Sequence, residues 1–219
     1  MDEMKWIRER HSVRSYLDKA VEPEKEAAIL AEIERINALS GLHIQYRNGA
    51  EGVFESLLAR FIGWKYVPGY LAMVGQDNPE TEEVCGYWGE QLVLFLQSIG
   101  LNTCWVGMFN RNAVKAKLAP GEKTIITVAL GYGADSGKPH RSKEIGDVTD
   151  VKEDEMPDWF RRGVEAALLA PTAINQQKFR ISLDGDRPVL KTTGTGPFLR
   201  LDLGIVKRHF EIGSGKTIY

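Results

Sequence analysis

The chain has 219 residues, with 28 Lys and Arg against 30 Asp and Glu, for a net charge of −2. That balance leaves no cationic footprint for nucleic acid or an anionic membrane surface, and two cysteines, Cys85 and Cys104, are too few for a disulfide framework. A content of 43% hydrophobic residues suits a soluble globular chain, long enough for one sizeable core or two small interlocked ones.

In chain order, a short amphipathic segment from Met4 to Arg10 leads into a basic motif, Arg10-His11-Ser12-Val13-Arg14. Pro23, flanked by Glu22 and Glu24, suits a first helical turn; Ile29, Ile33 and Ile36 share one face of the helix that follows, and Gly41 predicts its stop. His43 to Arg47 alternates as a strand, and Val53, Phe54, Leu57, Leu58 and Phe61 mark an amphipathic helix. Tyr70 to Gly75 reads as a buried strand. Thr81 to Ile99 reads as a long helix, apolar over much of its surface and suited to the middle of a core. Asn110 predicts the cap of a short helix to Leu118, and the β-branched run Thr124 to Leu130 an interior strand. The chain then turns polar from Gly131 to Glu155, as a linker or wrapping arm. Beyond Pro157 come a helix to Ala170, strands over Arg180 to Leu183 and Val189 to Thr193, and a helix from Leu199 to Ile212. The two stretches share an order of helix, motif or turn, strand and then a helix ending in Ile-Gly (Ile99-Gly100, Ile212-Gly213), which suggests a diverged internal duplication. The absence of an apolar leader or spanning segment and the cysteine usage predict a cytoplasmic protein.

Two motifs carry chemistry. Arg10, His11, Ser12 and Arg14 place cations around a hydroxyl, a donor set that can grip a phosphate; alone, such a cluster reads as a solvated basic surface. Pro171-Thr172-Ala173-Ile174-Asn175 follows the apolar run Ala166 to Ala170, and its backbone and amide groups could read a flat polar ring or serve only as a capping turn. Other patterns fail. Gly213-Ser214-Gly215-Lys216-Thr217 lacks the first glycine and following helix of a nucleotide loop, the four histidines show no metal spacing, and no nucleophile elbow is present. No metal is expected.

Together the two motifs resemble those of the nitroreductase-like family of FMN-dependent oxidoreductases, where Arg-x-Ser-x-Arg holds the flavin phosphate and Pro-Ser-x-x-Asn lies close to the flavin. In most of that family both motifs lie near the N-terminus and a second subunit completes the site; here they are far apart. The resemblance therefore implies the subset in which one chain looks like a fused dimer: a first half over residues 1–133, a polar arm over 134–156 and a shorter second half over 157–219, intertwined as one globular unit. The implied fold is α+β, an antiparallel sheet around central apolar helices in two related halves. The implied FMN contacts are Arg10, His11, Ser12 and Arg14 from one half and Pro171, Thr172, Ala173 and Asn175 from the other. Gly100 to Phe109 resembles a family stretch whose backbone faces the flavin, which adds Val106 and Gly107 and leaves Cys104 and Trp105 as core. Lys138-Pro139-His140-Arg141 resembles a basic arm, with Arg141 first and Lys138 second to reach the phosphate, or else a solvated loop. Lys178 and Phe179 depart from the family's proline and larger aromatic.

The implied activity is ping-pong hydride transfer from NADH or NADPH, through flavin N5, to a small acceptor such as a nitroaromatic or quinone, with no dedicated catalytic side chain. A fused pseudo-dimer of this kind would hold one flavin and work as a monomer, although further association stays open. The alternative is a protein of the same fold that binds flavin as a sensor, or has lost FMN and is no enzyme.

Overall fold

A computed structural model describes residues 3–55, 64 and 66–218. The chain divides into two compact units. One comprises residues 10–81 and 92–139, the other residues 1–9, 82–91 and 140–219.

The first unit is built on a four-stranded antiparallel sheet. Its strands are β1 (Gln45–Asn48), β2 (Gly69–Gln76), β3 (Asn102–Val106) and β4 (Glu122–Gly131), in the order β1-β2-β4-β3. Seven consecutive residues of β2 and eight of β4 are buried, so the central pair is covered on both faces, as their apolar runs require. Helix α1 (Glu3–Glu9) precedes this unit in the chain and belongs to the second one. Helix α2 (Pro23–Ser40) has Pro23 in its first turn, buries Ile29, Ile33 and Ile36, and stops at Gly41 in the left-handed region. Strand β1 begins two residues later than expected because the Asn37 side chain bonds both the N–H and the C=O of Ile44. Helix α3 (Pro79–Ser98), capped by the Asn78 side chain, contributes residues 82–91 to the second unit and 92–98 to the first. Cys85, Leu92, Val93, Leu94 and Leu96 along it are fully buried, as expected of a central helix.

The expected helix from Asn110 to Leu118 is only a single 3-10 turn, Arg111–Ala113, which Asn110 does cap. Downstream backbone groups are taken by tertiary partners: Lys115 N–H donates to the Tyr70 hydroxyl, Lys117 N–H to Gln45 Oε1, and Gln45 Nε2 to Lys117 O. Those bonds replace the i→i−4 ladder, so extended chain wins over helix. Of the helix expected around residues 53–61, Val53 and Phe54 lie in a turn and pack into the core, whereas Leu57, Leu58 and Phe61 lie outside the described residues.

The second unit contains helix α4 (Ile145–Val148), helix α5 (Asp158–Ala167), the hairpin of β5 (Phe179–Asp184) and β6 (Arg187–Thr192), and helix α6 (Leu199–Ser214). Helix α5 ends three residues before Ala170, where the Leu168 carbonyl is taken by His140 Nε2 and the Ser142 hydroxyl. Helix α6 does not stop at Ile212-Gly213. It runs on to Ser214 and is capped by Gly215, so the matching Ile-Gly helix ends expected from sequence are not there. Gly213 is a packing residue instead: a Cβ on it would lie 2.5 Å from both the Ala166 Cβ and the Arg162 carbonyl oxygen. The Phe160 and Phe210 rings meet edge to face at 5.8 Å nearby.

Helices α3 and α6 touch through their backbones. A Cβ on Gly86 would lie 2.0 Å from Leu201 O and 3.1 Å from Ile205 N; one on Gly204 would lie 2.0 Å from Glu83 O and 2.7 Å from Tyr87 N. Each glycine thus meets the carbonyl three residues before the other and the amide one residue after it. The contact is reciprocal. Deeper along the same helices, Glu90 and His209 are both fully buried and hydrogen bonded at 2.9 Å. His209 Nδ1 faces the Ala166 carbonyl at 3.1 Å, so that nitrogen carries a proton.

Candidate functional site

The basic motif lies along the free edge of β3. Ser12 bridges Thr103 in parallel, Val13 N–H donates to Thr103 O at 3.0 Å, and Leu17 N–H to Tyr132 O at 2.8 Å. Along this extended segment Val13 and Tyr16 are buried in the core, whereas Arg14 is exposed. The Tyr16 hydroxyl donates to Val13 O at 2.8 Å, fixing the segment against itself. Burial raises the phenol well above its ordinary range, the Cys104 charge adds to that, and Arg14 opposes it.

Cys104 shows where the cations go. Burial raises its thiol, while the charge of Arg14, a hydrogen bond with Ser12 and the charge of Arg10 all act in the other direction. Arg14 and Arg10 thus act on the Cys104 thiol through their charge, and Ser12 through a hydrogen bond. Arg10 is only 5% exposed, whereas Arg14 is exposed, so the two cations of the motif sit in different environments. His11 sits against Gly137, whose Cβ would lie 2.8 Å from the His11 Cβ, so the chain after β4 folds back over the motif. Two residues beyond Cys104, β3 ends in buried Val106, whose carbonyl accepts from the Thr127 hydroxyl at 3.1 Å, and Gly107 opens the bend that follows.

The Pro171 motif is a tightly bonded turn in the second unit. The Thr172 hydroxyl accepts from Gln177 N–H at 3.0 Å, and Thr172 O from Asn175 N–H at 2.9 Å. The Asn175 amide donates to Arg141 O at 2.9 Å, and Gln177 Nε2 donates both to Arg141 O and to Asn175 Oδ1 at 2.9 Å. Asn175 and Arg141 are thus brought together through the Arg141 backbone, with the Arg141 side chain exposed. Lys143 adds two bonds to Gln177. Ile174, Asn175 and Gln177 all adopt positive φ, at 48°, 55° and 44°, and Ile174 is 87% exposed at the tip. A β-branched residue in the left-handed region is strained and persists only where its surroundings over-determine it.

Asp202, in the first turn of α6, supplies much of that constraint. Its carboxylate accepts Ala173 N–H at 3.0 and 3.1 Å and Gln176 Nε2 at 2.8 Å, and Gln176 also donates to Pro197 O. Burial lifts the carboxyl to about 6, with the Gln176 and Ala173 bonds pulling the other way. Asp202 does not stand out in the sequence. An acidic residue in a first helical turn reads as a dipole partner, and nothing local points from residue 202 to residue 173. Among the described residues no group of three His, Cys, Asp or Glu is placed to hold a metal, and no helix is long and apolar enough to cross a membrane.

A family model described as "Putative TM nitroreductase" matches residues 2–214. The chain belongs to this nitroreductase family. Its fold is likewise the nitroreductase fold. A "putative nitroreductase" of Thermotoga maritima is 21% identical, with a TM-score of 0.69 over 97% of this chain and 83% of that one. A "putative nitroreductase in complex with FMN" from Desulfovibrio desulfuricans is 16% identical, with a TM-score of 0.52 over 67% of this chain and 94% of its own. A "putative NADH dehydrogenase/NAD(P)H nitroreductase" of Parabacteroides distasonis is 19% identical, with a TM-score of 0.52 over 68% and 96%. No curated protein matches the chain. At these identities the likeness to the solved structures is one of fold.

Proposed function

We propose that this nitroreductase-family chain is an FMN-dependent NAD(P)H oxidoreductase. The observation that carries the reading is that the segment bearing Arg10, Ser12 and Arg14 is bridged to the edge of β3, where all three act on Cys104. Two guanidiniums and a hydroxyl are a donor set matched to a phosphate monoester, since the planar forks make bidentate charge-assisted bonds that an ammonium cannot. His11 would flank the phosphate, and Arg141, with Lys138 second, would add a further cation. Val106 and Gly107 would lie along the ring edge, where only backbone and a missing side chain permit close approach. Pro171, Thr172, Ala173 and Asn175 would border the ring as a braced turn. When bound, FMN supplies the redox chemistry, taking hydride from NADH or NADPH and passing it to a nitroaromatic, quinone or similar acceptor that uses the same face in turn. The chain's own part is to hold the phosphate, orient the ring and keep the turn closed; it contributes no proton donor of its own. The D. desulfuricans and P. distasonis relatives support this reading through the FMN and NAD(P)H in their descriptions.

The repeated order α2-β1-β2-α3 and α5-β5-β6-α6, with the reciprocal Gly86 and Gly204 contact, supports an internal duplication. On that reading one FMN binds per chain, and the protein acts as a cytoplasmic monomer on a small-molecule acceptor. The test is titration of purified protein with FMN, followed by fluorescence quenching, and anaerobic addition of NADH or NADPH. Saturation near one FMN per chain and bleaching of the oxidised spectrum are expected. Absence of quenching removes the assignment; quenching without bleaching leaves a flavin-binding protein that is not a reductase.

A further inference from the structure

We propose that Asp202 is a positioning residue: by receiving Ala173 N–H and the Gln176 amide, it sets the conformation of the Pro171–Gln177 turn and hence how that turn meets a bound flavin. The geometry is specific. Ala173 N–H is shared between both carboxylate oxygens, at 3.0 and 3.1 Å, and the Gln176 amide reaches Oδ2 at 2.8 Å. These bonds enter the turn at Ala173 and Gln176, which flank Ile174 and Asn175 and precede Gln177, the three residues at positive φ, so they hold it where its own backbone preferences would release it. Gln176 extends the brace to Pro197 O, in the segment that leads into α6. Asp202, Gln176 and Pro197 thus form a clasp behind the turn, while Asn175 and Gln177 clasp Arg141 O within it.

The partners of Asp202 are neutral donors. The charged groups on neighbouring elements have other engagements: Lys178 Nζ is bonded to Thr195 O, and Arg200 and Lys207 pair with Glu83 of α3. Farther along α6, Arg208 meets Glu3 and Glu211, and His209 meets Glu90. Among the described residues no cation is bonded to it, so the ionised carboxylate is held under its burial cost, which opening of the turn would relieve. The closed turn therefore favours the protonated form, and closure weakens as pH rises through about 6. This proposal rests on the FMN reading only for its consequence on binding; the clasp itself is a property of the chain.

The experiment uses the full chain and two variants, Asp202→Asn and Gln176→Ala, with helix content checked by circular dichroism. Two quantities are followed between pH 5 and 7.5: hydrogen-exchange protection of the Ala173 amide, corrected for intrinsic exchange, and the FMN dissociation constant from fluorescence quenching. In the wild type, protection is expected to fall about tenfold across that range, with FMN affinity falling in parallel. Asp202→Asn should flatten both profiles. Gln176→Ala removes a bond that favours the ionised form, so its midpoint should move to higher pH. A flat wild-type protection profile, or unchanged profiles in both variants, overturns the role of Asp202. If protection behaves as expected but FMN binds at no pH, the flavin reading fails and the clasp stands.

Discussion

Arg14 and Arg10 share a motif but not an environment, and their substitutions should separate binding from folding. Arg14 is exposed, so Arg14→Ala should leave the melting temperature within about 1 °C while weakening FMN about 10- to 100-fold, the loss of a charge-assisted bond of about 1.5–3 kcal/mol. Arg14→Lys should recover only part of that, because an ammonium cannot make the bidentate contact. Quenching titrations on the two variants check both statements; equal affinities for Arg14→Ala and wild type would remove Arg14 from the site. Asn175→Ala should act differently, since its amide holds Arg141 O and Gln177, so weaker FMN binding is expected together with faster exchange of amides in the turn. At this scale the sequence was informative about residue types and silent about partners. Arg-x-Ser-x-Arg is a local pattern with a local meaning, whereas the Asp202 clasp joins residues from a turn and a later helix, with no spacing rule to reveal it.

Among the elements, the reciprocal glycine contact makes the sharpest prediction. Gly204→Ala drives a methyl to 2.0 Å from a backbone oxygen, where no side chain can yield, so the helices must separate. A loss of about 4 kcal/mol or more is expected, measurable as a fall in the denaturant midpoint or as failure to fold. Gly163→Ala meets the Phe210 ring at 2.6 Å, which can shift, and should cost about 1–3 kcal/mol. Gly185→Ala meets nothing within 4 Å and should cost only about 1–2 kcal/mol for its positive φ. A different rank order would show that the α3–α6 contact can open to admit a side chain. The helices and strands were legible where one period dominates, as in α2 with Pro23 and Gly41 at its ends or the apolar runs of β2 and β4. The misses have tertiary causes: Tyr70 and Gln45 claim the backbone after Ala113, and Gly213 reads as a stop signal although it serves α5 as a packing surface.

For the whole molecule, two carboxyls of opposite tendency shape stability against pH. Lys19 and Tyr132 hold Glu22 down at about 2, so its contribution is present above about 4.5 and is lost as pH falls toward 2. Asp202 is raised to about 6, so its contribution is present below 3.8 and is lost as pH rises through 6, by about 3 kcal/mol. Denaturation midpoints of the wild type should therefore fall between pH 5 and 7, and Asp202→Asn should remove most of that slope. The nitroreductase fold was legible from two motifs and the polarity pattern, but the composition of the two units was not, because a unit assembled from residues 1–9, 82–91 and 140–219 follows no composition boundary. The meeting of Gly86 with Gly204 has a temporal side. During synthesis, residues 10–81 and 92–139 have all emerged while the partner of Gly86 is still untranslated. The bare backbone face of α3 must wait for α6, which is made well after it, and a nascent chain arrested before Leu199 should display that face to chaperones.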